Sequence, residues 1–212
     1  MGRPKKSDMG SVPTEERILQ KALELFALKG YDAVSVRDIT TPLGLNQATL
    51  YIYYKNKAAL LDAIFRRLEE KLINPGFSVP PPEFFAEMET FDLATFLIAG
   101  AKRFFGRTDQ ETRFTWRLLM MSQYQHEVAR HSMEIQVLDA PMRHFAALLD
   151  SIKAAGLIKD EVDTVSAGRI IATMFFEYSF RANLAAAWEE KHDHVFDRLC
   201  EDLRAFADLI SV

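Results

Sequence analysis

The residues best suited to one kind of chemistry lie near the front of the chain. Gln47, Ala48, Thr49, Tyr51 and Tyr53 follow one another closely, with Lys57 just beyond. A glutamine amide can pair with adenine through two hydrogen bonds. A threonine or alanine methyl can touch the thymine methyl, and tyrosine hydroxyls can reach phosphate. An ammonium such as that of Lys57, placed at a helix start beside exposed backbone amides, attracts phosphate. This is recognition chemistry, in which no covalent bond is broken. Groups for bond-breaking chemistry are sparse by comparison. His126 and His131 lie five residues apart, and Glu189 with His192 has the i, i+3 spacing of carboxylate-bridged metal bundles. A second Glu-x-x-His pair is missing, and His192 and His194 would diverge on a helix. No nucleophile elbow, phosphate-cradling glycine loop or nucleotide fingerprint occurs. The lone Cys200 forms no intrachain disulfide or cysteine zinc cluster. It reads as a small core residue, and as a redox sensor only if exposed and deprotonated. The chain is therefore expected to be no enzyme and to use no metal or cofactor; the alternative is a helical metal- or substrate-binding enzyme.

Short helices must position the front cluster. Thr14, followed by Glu15 and Glu16, reads as a helix start with a capping hydroxyl and acids in the first turn. Ile18, Ala22, Leu25 and Phe26 then make one apolar stripe, and Gly30 reads as its stop. Ser35 with Asp38 resembles a capping box and opens a second helix that must end near Thr41, because Pro42 and Gly44 follow. Asn46 is the cap candidate for a third helix through about Tyr53. Asn56 caps a fourth, with Leu61, Ile64, Phe65, Leu68 and Leu72 on its buried side. Residues 35–53 have the dimensions of a helix-turn-helix, turning at Leu43-Gly44-Leu45. Leu50 and Tyr54 are expected to pack on Ile39 and Phe26.

Here the sequence resembles the TetR family of bacterial transcriptional regulators. Gln47 through Ala63 carries the resemblance most strongly, joined by Arg17-Ile18-Leu19, Leu25-Phe26, Gly30-Tyr31 and Ser35-Val36-Arg37-Asp38-Ile39. The resemblance implies an all-α dimer: an N-terminal three-helix DNA-binding head with helix-turn-helix, and a C-terminal antiparallel helical ligand-binding and dimerisation domain. It places Arg37, Gln47, Ala48 and Thr49 near bases, and Tyr51, Tyr53 and Lys57 mainly at phosphates, with Asn46 at the interface. Thr40 replaces the usual small alanine, Pro42 shortens the second helix, and Ala48 stands where glycine or proline is frequent. These departures bear on docking angle and operator sequence. Repression through a palindromic operator is the family default, with activation as the alternative.

Charge supports the same polarity. Among the first 60 residues nine are basic and six acidic, whereas the remainder holds 17 basic and 24 acidic residues. A polyanion would thus dock at the front. Residues 1–13 read as a flexible basic arm, whose Arg3, Lys5 and Lys6 would lie in a minor groove. Residues 14–73 form the head with its connecting helix. The break at Asn74-Pro75-Gly76 and Pro80-Pro81-Pro82 sets off residues 74–212 as the body. No apolar run approaches the ~18 residues of a membrane span, and the basic start is not followed by the apolar stretch of a signal peptide; a cytoplasmic protein is expected.

The body reads as helices from about Asp92 to Phe105, from a capping box at Thr108-Asp109-Gln110-Glu111 to about Arg130, and from Pro141 to Ala155. Two more follow, Thr164 to Lys191 and Asp193 to Ile210. The chain has sixteen phenylalanines, most of them here. A cavity for a small apolar effector is expected among Phe104, Phe105, Trp116, Met120, Met121, Tyr124, Phe145, Phe175, Phe176 and Tyr178. Glu177 would orient the ligand, pair with Arg181 or face solvent. The last two helices are the expected dimer seam, with Phe180, Leu184, Trp188, Phe196, Leu199 and Leu203 as its apolar surface.

Overall fold

A computed structural model describes residues 12–72, 78–106, 109–188 and 193–212. The basic arm with Arg3, Lys5 and Lys6 lies outside them, as do Asn74-Pro75-Gly76, Thr108 and the Glu189/His192 pair; of the Leu72 side chain nothing is described. Eleven α-helices are described: α1 (Thr14–Lys29), α2 (Val36–Thr40), α3 (Gln47–Tyr53), α4 (Lys57–Leu72), α5 (Pro82–Ala86), α6 (Leu93–Phe105), α7 (Gln110–Ser122), α8 (Glu127–Ser132), α9 (Ala140–Ala154), α10 (Thr164–Ala187) and α11 (Asp193–Ile210). Among the described residues there is no strand, only an isolated bridge between Ile158 and Ser211. The all-α expectation holds.

Local chemistry sets most boundaries. Ser35 and Asp38 form the expected reciprocal capping box at α2. Asn46, Asn56 and Asp92 accept the backbone N–H groups of Thr49, Ala59 and Thr95 at 2.8, 2.9 and 2.6 Å. After α2 the chain makes a 3₁₀ turn, Thr41–Leu43, and reverses at Gly44, whose φ of 69° lies in the left-handed region that glycine enters without strain. Thr40 is buried, and its hydroxyl, which an alanine would lack, is satisfied by donating to the Val36 carbonyl at 3.1 Å.

Several boundaries differ from expectation. Thr14 is the first helical residue, preceded by Pro13, and no side chain caps α1. Asp109, not Thr108, caps α7, accepting the Thr112 N–H at 2.8 Å. The helix expected to reach Arg130 stops at Ser122; a turn intervenes before α8, and a π-helical segment, Met133–Asp139, then runs into α9. The proline run does not stay extended either. Pro82 occupies the first turn of α5, where its missing N–H costs nothing.

Two apolar cores form. One is the core of the body, from Phe85 to Ala207, drawn from α5, α6, α9, α10 and α11. The other belongs to the head (Ile18, Phe26, Ile39, Leu50, Phe65) but continues through Leu118, Leu119, Ala129 and Met133. Helix α7 therefore supplies part of the head's interior, which a sequence boundary near residue 74 does not show. Arg67 on α4 reinforces the junction, bonding Glu16 of α1 at 2.5 Å and Glu111 of α7 at 2.8 Å.

Candidate nucleic-acid interface and body cavity

Helix α3 is pinned by its own sequence. Leu50 is wholly buried and Tyr54, just after the helix, nearly so; burial pushes the Tyr54 phenol up to about 12. Asn46 closes the other end. With these anchors fixed, Gln47, Ala48, Tyr51, Ile52 and Tyr53 stand exposed, and Thr49 is half-buried. No charged residue lies between Leu45 and Tyr54. Arg37 is exposed on α2 beside this face. The Gly44 turn fixes the two helices relative to each other, assisted by Arg17, whose guanidinium donates to the Leu43 carbonyl at 3.2 Å.

Three expected contact residues have duties inside the head. Asn46 Oδ1 accepts both the N–H and the hydroxyl of Thr49, at 2.8 and 2.9 Å. Its oxygen is thus the helix cap, and the Thr49 hydroxyl proton is committed to it. Lys57 does not simply stand at a helix start. Its ammonium donates to the carbonyls of Tyr31 and Val34 at 2.8 and 3.0 Å and sits 4.0 Å from the Tyr31 ring centroid. The ring of His126, from the turn before α8, meets Tyr31 edge-on at 4.6 Å. Lys57 is therefore half-buried and clamps the loop after α1.

Sequence reasoning passed over Ile52, which is 77% exposed. The signal was present, since Ile52 falls two residues from Leu50 and so on the opposite side of α3. An isoleucine simply does not read as a surface residue.

The body carries a partly open cavity of about 800 Å³. Phe104, Phe105, Trp116, Phe145, Phe175 and Tyr178 line it, as does Gly100 on α6. Its aromatic wall is continuous, with ring centroids 4.2 Å apart for Phe105 and Tyr178 and 4.9 Å for Phe145 and Phe175. The Trp116 Nε1–H is buried without an acceptor. His144, also lining, is held below the usual imidazole range by burial. Met120, Tyr124 and Glu177 do not line it. Met120 packs against the head core, Tyr124 is 91% exposed beyond the end of α7, and Glu177 is exposed and paired with Arg181. Met121 and Phe176 are likewise absent from the lining.

The expected seam divides. Leu199 and Leu203 are interior, packed in the body core, and Phe196 is half-buried against it, 5.6 Å from the Tyr178 ring. They face their own chain because α11 turns its apolar side inward and its charged side, including Asp197, Glu201 and Arg204, outward. Phe180, Leu184 and Trp188 do lie at the surface, and Ile170 extends their stripe along α10. Cys200 is buried, and burial pushes its thiol up, away from the thiolate a redox sensor needs. Among the described residues no three His, Cys, Asp or Glu side chains are grouped to hold a metal, and no helix is long and apolar enough to cross a membrane.

Known proteins match this arrangement in two ways. Residues 18–64 match the family model described as bacterial regulatory proteins, tetR family. The head is similar to that of the tetracycline repressor protein class D of Escherichia coli, 45% identical over 49 residues, covering 23% of this chain and 22% of that protein. The first curated relatives are matched over about a quarter to a half of their own length (27%, 53% and 28%). The whole fold is similar to that of a TetR transcription regulator from Haloarcula marismortui, with a TM-score of 0.67 at 16% identity, covering 93% of this chain and 98% of that one. It is also similar to SmeT, solved as a complex with triclosan, with a TM-score of 0.65 at 16% identity, covering 94% and 92%. Residues 18–64 thus resemble the head of the tetR family of bacterial regulatory proteins, and the chain as a whole shares the fold of such regulators.

Proposed function

We propose that the chain is a cytoplasmic, dimeric transcriptional regulator, a repressor that leaves a palindromic DNA operator when a small apolar effector enters the body. The carrying observation is α3: a short helix anchored at both ends, with an uncharged outer face, in a head that matches the family model. One such helix touches few bases, so two heads related by a dyad would read half-sites about 34–36 Å apart, or a multiple of that. The exposed stripe of Ile170, Phe180, Leu184 and Trp188 on α10 would be the seam joining the two copies.

Selection of binding sites from a random duplex pool, followed by mobility shifts at several salt concentrations, tests the DNA role. The expected product is an inverted repeat. Gln47→Ala is expected to relax base preference at one position by about 1–3 kcal/mol without changing the salt slope. Equal loss on every sequence would remove Gln47 from base reading.

The cavity supports the effector. Its volume suits a drug-sized molecule, for which pockets of about 300–1,000 Å³ are usual, and SmeT, of the same fold, holds triclosan. A ligand displaces the equilibrium only through unequal affinity for the bound and released states. Helix α7 joins the two ends of such a switch, since Thr112 and Trp116 line the cavity while Leu118 and Leu119 lie in the head core. Gly100→Phe is expected to fill the cavity and abolish binding of an apolar fluorophore such as 1-anilinonaphthalene while the fold is kept. A Cβ at Gly100 meets nothing within 4 Å, and removing a mid-helix glycine is itself favourable by about 0.5–1 kcal/mol. Undiminished fluorescence enhancement with Gly100→Phe would place the probe elsewhere.

A further inference from the structure

Two i, i+4 pairs divide α3 between inside and outside. Leu50 and Tyr54 are its buried anchors. Ala48 and Ile52 each precede an anchor by two residues, and two residues turn a helix by about 200°. They therefore form the crown of the helix, opposite the core. Gln47 and Tyr51 occupy one flank, Thr49 and Tyr53 the other. The crown is apolar although the flanks are polar, and Ile52 is the most exposed of the large hydrophobic side chains among the described residues of the head.

We infer that Ile52 reads the methyl group of a thymine in each half-site, with Ala48 on the same crown against a base pair two steps away. This rests on the DNA-binding reading of the head. The floor of the major groove presents one apolar group, the thymine C5 methyl, and the crown of a recognition helix is the part that reaches deepest. A β-branched side chain is held to one principal χ1 in a helix, so Ile52 meets that methyl with little loss of rotamer freedom. Ala48 lies one turn earlier, about 6 Å along the axis, close to two base-pair steps of about 3.4 Å. No cation on α3 supplies attraction blind to sequence, so the fit of this crown, together with the polar flank that carries Gln47, governs which base pairs are accepted.

The test uses the full-length chain and a duplex selected from a random pool, with each thymine replaced in turn by deoxyuridine. That change removes one methyl and leaves every hydrogen-bonding group in place. At one thymine per half-site, replacement is expected to weaken binding about fourfold, the worth of one buried methyl. Ile52→Ala is expected to abolish that sensitivity and Ile52→Val to keep it. Melting temperatures should change little, because Ile52 is mostly exposed and belongs to neither apolar core. Affinity within about twofold on every deoxyuridine duplex, or full methyl sensitivity surviving in Ile52→Ala, overturns the inference alone. Failure of the pool to yield any preferred sequence overturns the DNA-binding reading and this inference with it.

Discussion

A full-length chain bearing Phe180→Glu and Leu184→Glu is expected to sediment as a folded monomer and to bind a palindromic duplex on the order of 10²–10⁴-fold more weakly, the loss of one of two linked heads. Both side chains are about half exposed on α10, at 44% and 51%, and Trp188 beyond them is 75% exposed. A glutamate at either place leaves the chain's own interior intact. On the seam it sets like charges face to face across the dyad and strands them away from water. Leu203→Glu provides the contrast. That side chain is wholly buried among the body's apolar residues, so a charge there opposes folding on the scale of a domain's whole stability, about 5–15 kcal/mol. Sedimentation with circular dichroism separates the two outcomes: a compact helical monomer for the α10 pair, loss of cooperative unfolding for Leu203→Glu. A persistent dimer in the double variant would move the seam off α10.

The second large effect is expected from one methyl group. Gly168 on α10 crosses α9 so closely that a Cβ would stand 2.5 Å from the Ala146 nitrogen and 2.9 Å from its Cα. These are backbone atoms and have no rotamer by which to yield, so Gly168→Ala must push the helices apart. Overpacking of this kind costs about 1–3 kcal/mol, more than the roughly 0.5–1 kcal/mol gained by removing a mid-helix glycine. For a chain of this length the net loss corresponds to a fall in melting temperature of about 2–4 °C per kcal/mol. Because α9 and α10 also supply Phe145, Phe175 and Tyr178 to the cavity, Gly168→Ala is further expected to weaken 1-anilinonaphthalene binding. A melting temperature at or above that of the parent would show that the crossing is looser than the backbone distances state.

What the sequence disclosed and what it concealed follow from the range of the interactions involved. The caps at Ser35, Asn46, Asn56 and Asp92 are bonds between residues three apart, so their signals are local and the expected helix starts are found. The turn at Gly44 is local as well. The stop of α7 at Ser122 has no glycine or proline to mark it, and the π-helical Met133–Asp139 has no periodicity of its own. Pro82 misleads because the same residue that breaks a helix interior is at home in a first turn. The site shows the same division. Gln47, Tyr51 and Tyr53 reach the surface where a helical wheel puts them. The carbonyls that Lys57 clamps lie 26 and 23 residues earlier, beyond any local pattern. Leu199 and Leu203 lie on a cleanly amphipathic helix, and amphipathicity states that one face is covered without stating by which chain. The body core covers it, and α10 is left to meet the outside.

The placement of Leu118, Leu119 and Ala129 in the head's core sets a rule for building hybrids. A splice after residue 73, joining this head to a foreign body, would leave Phe26, Leu61 and Phe65 facing side chains never fitted to them. A serviceable chimaera has to carry the second half of α7 and the start of α8 along with the first four helices.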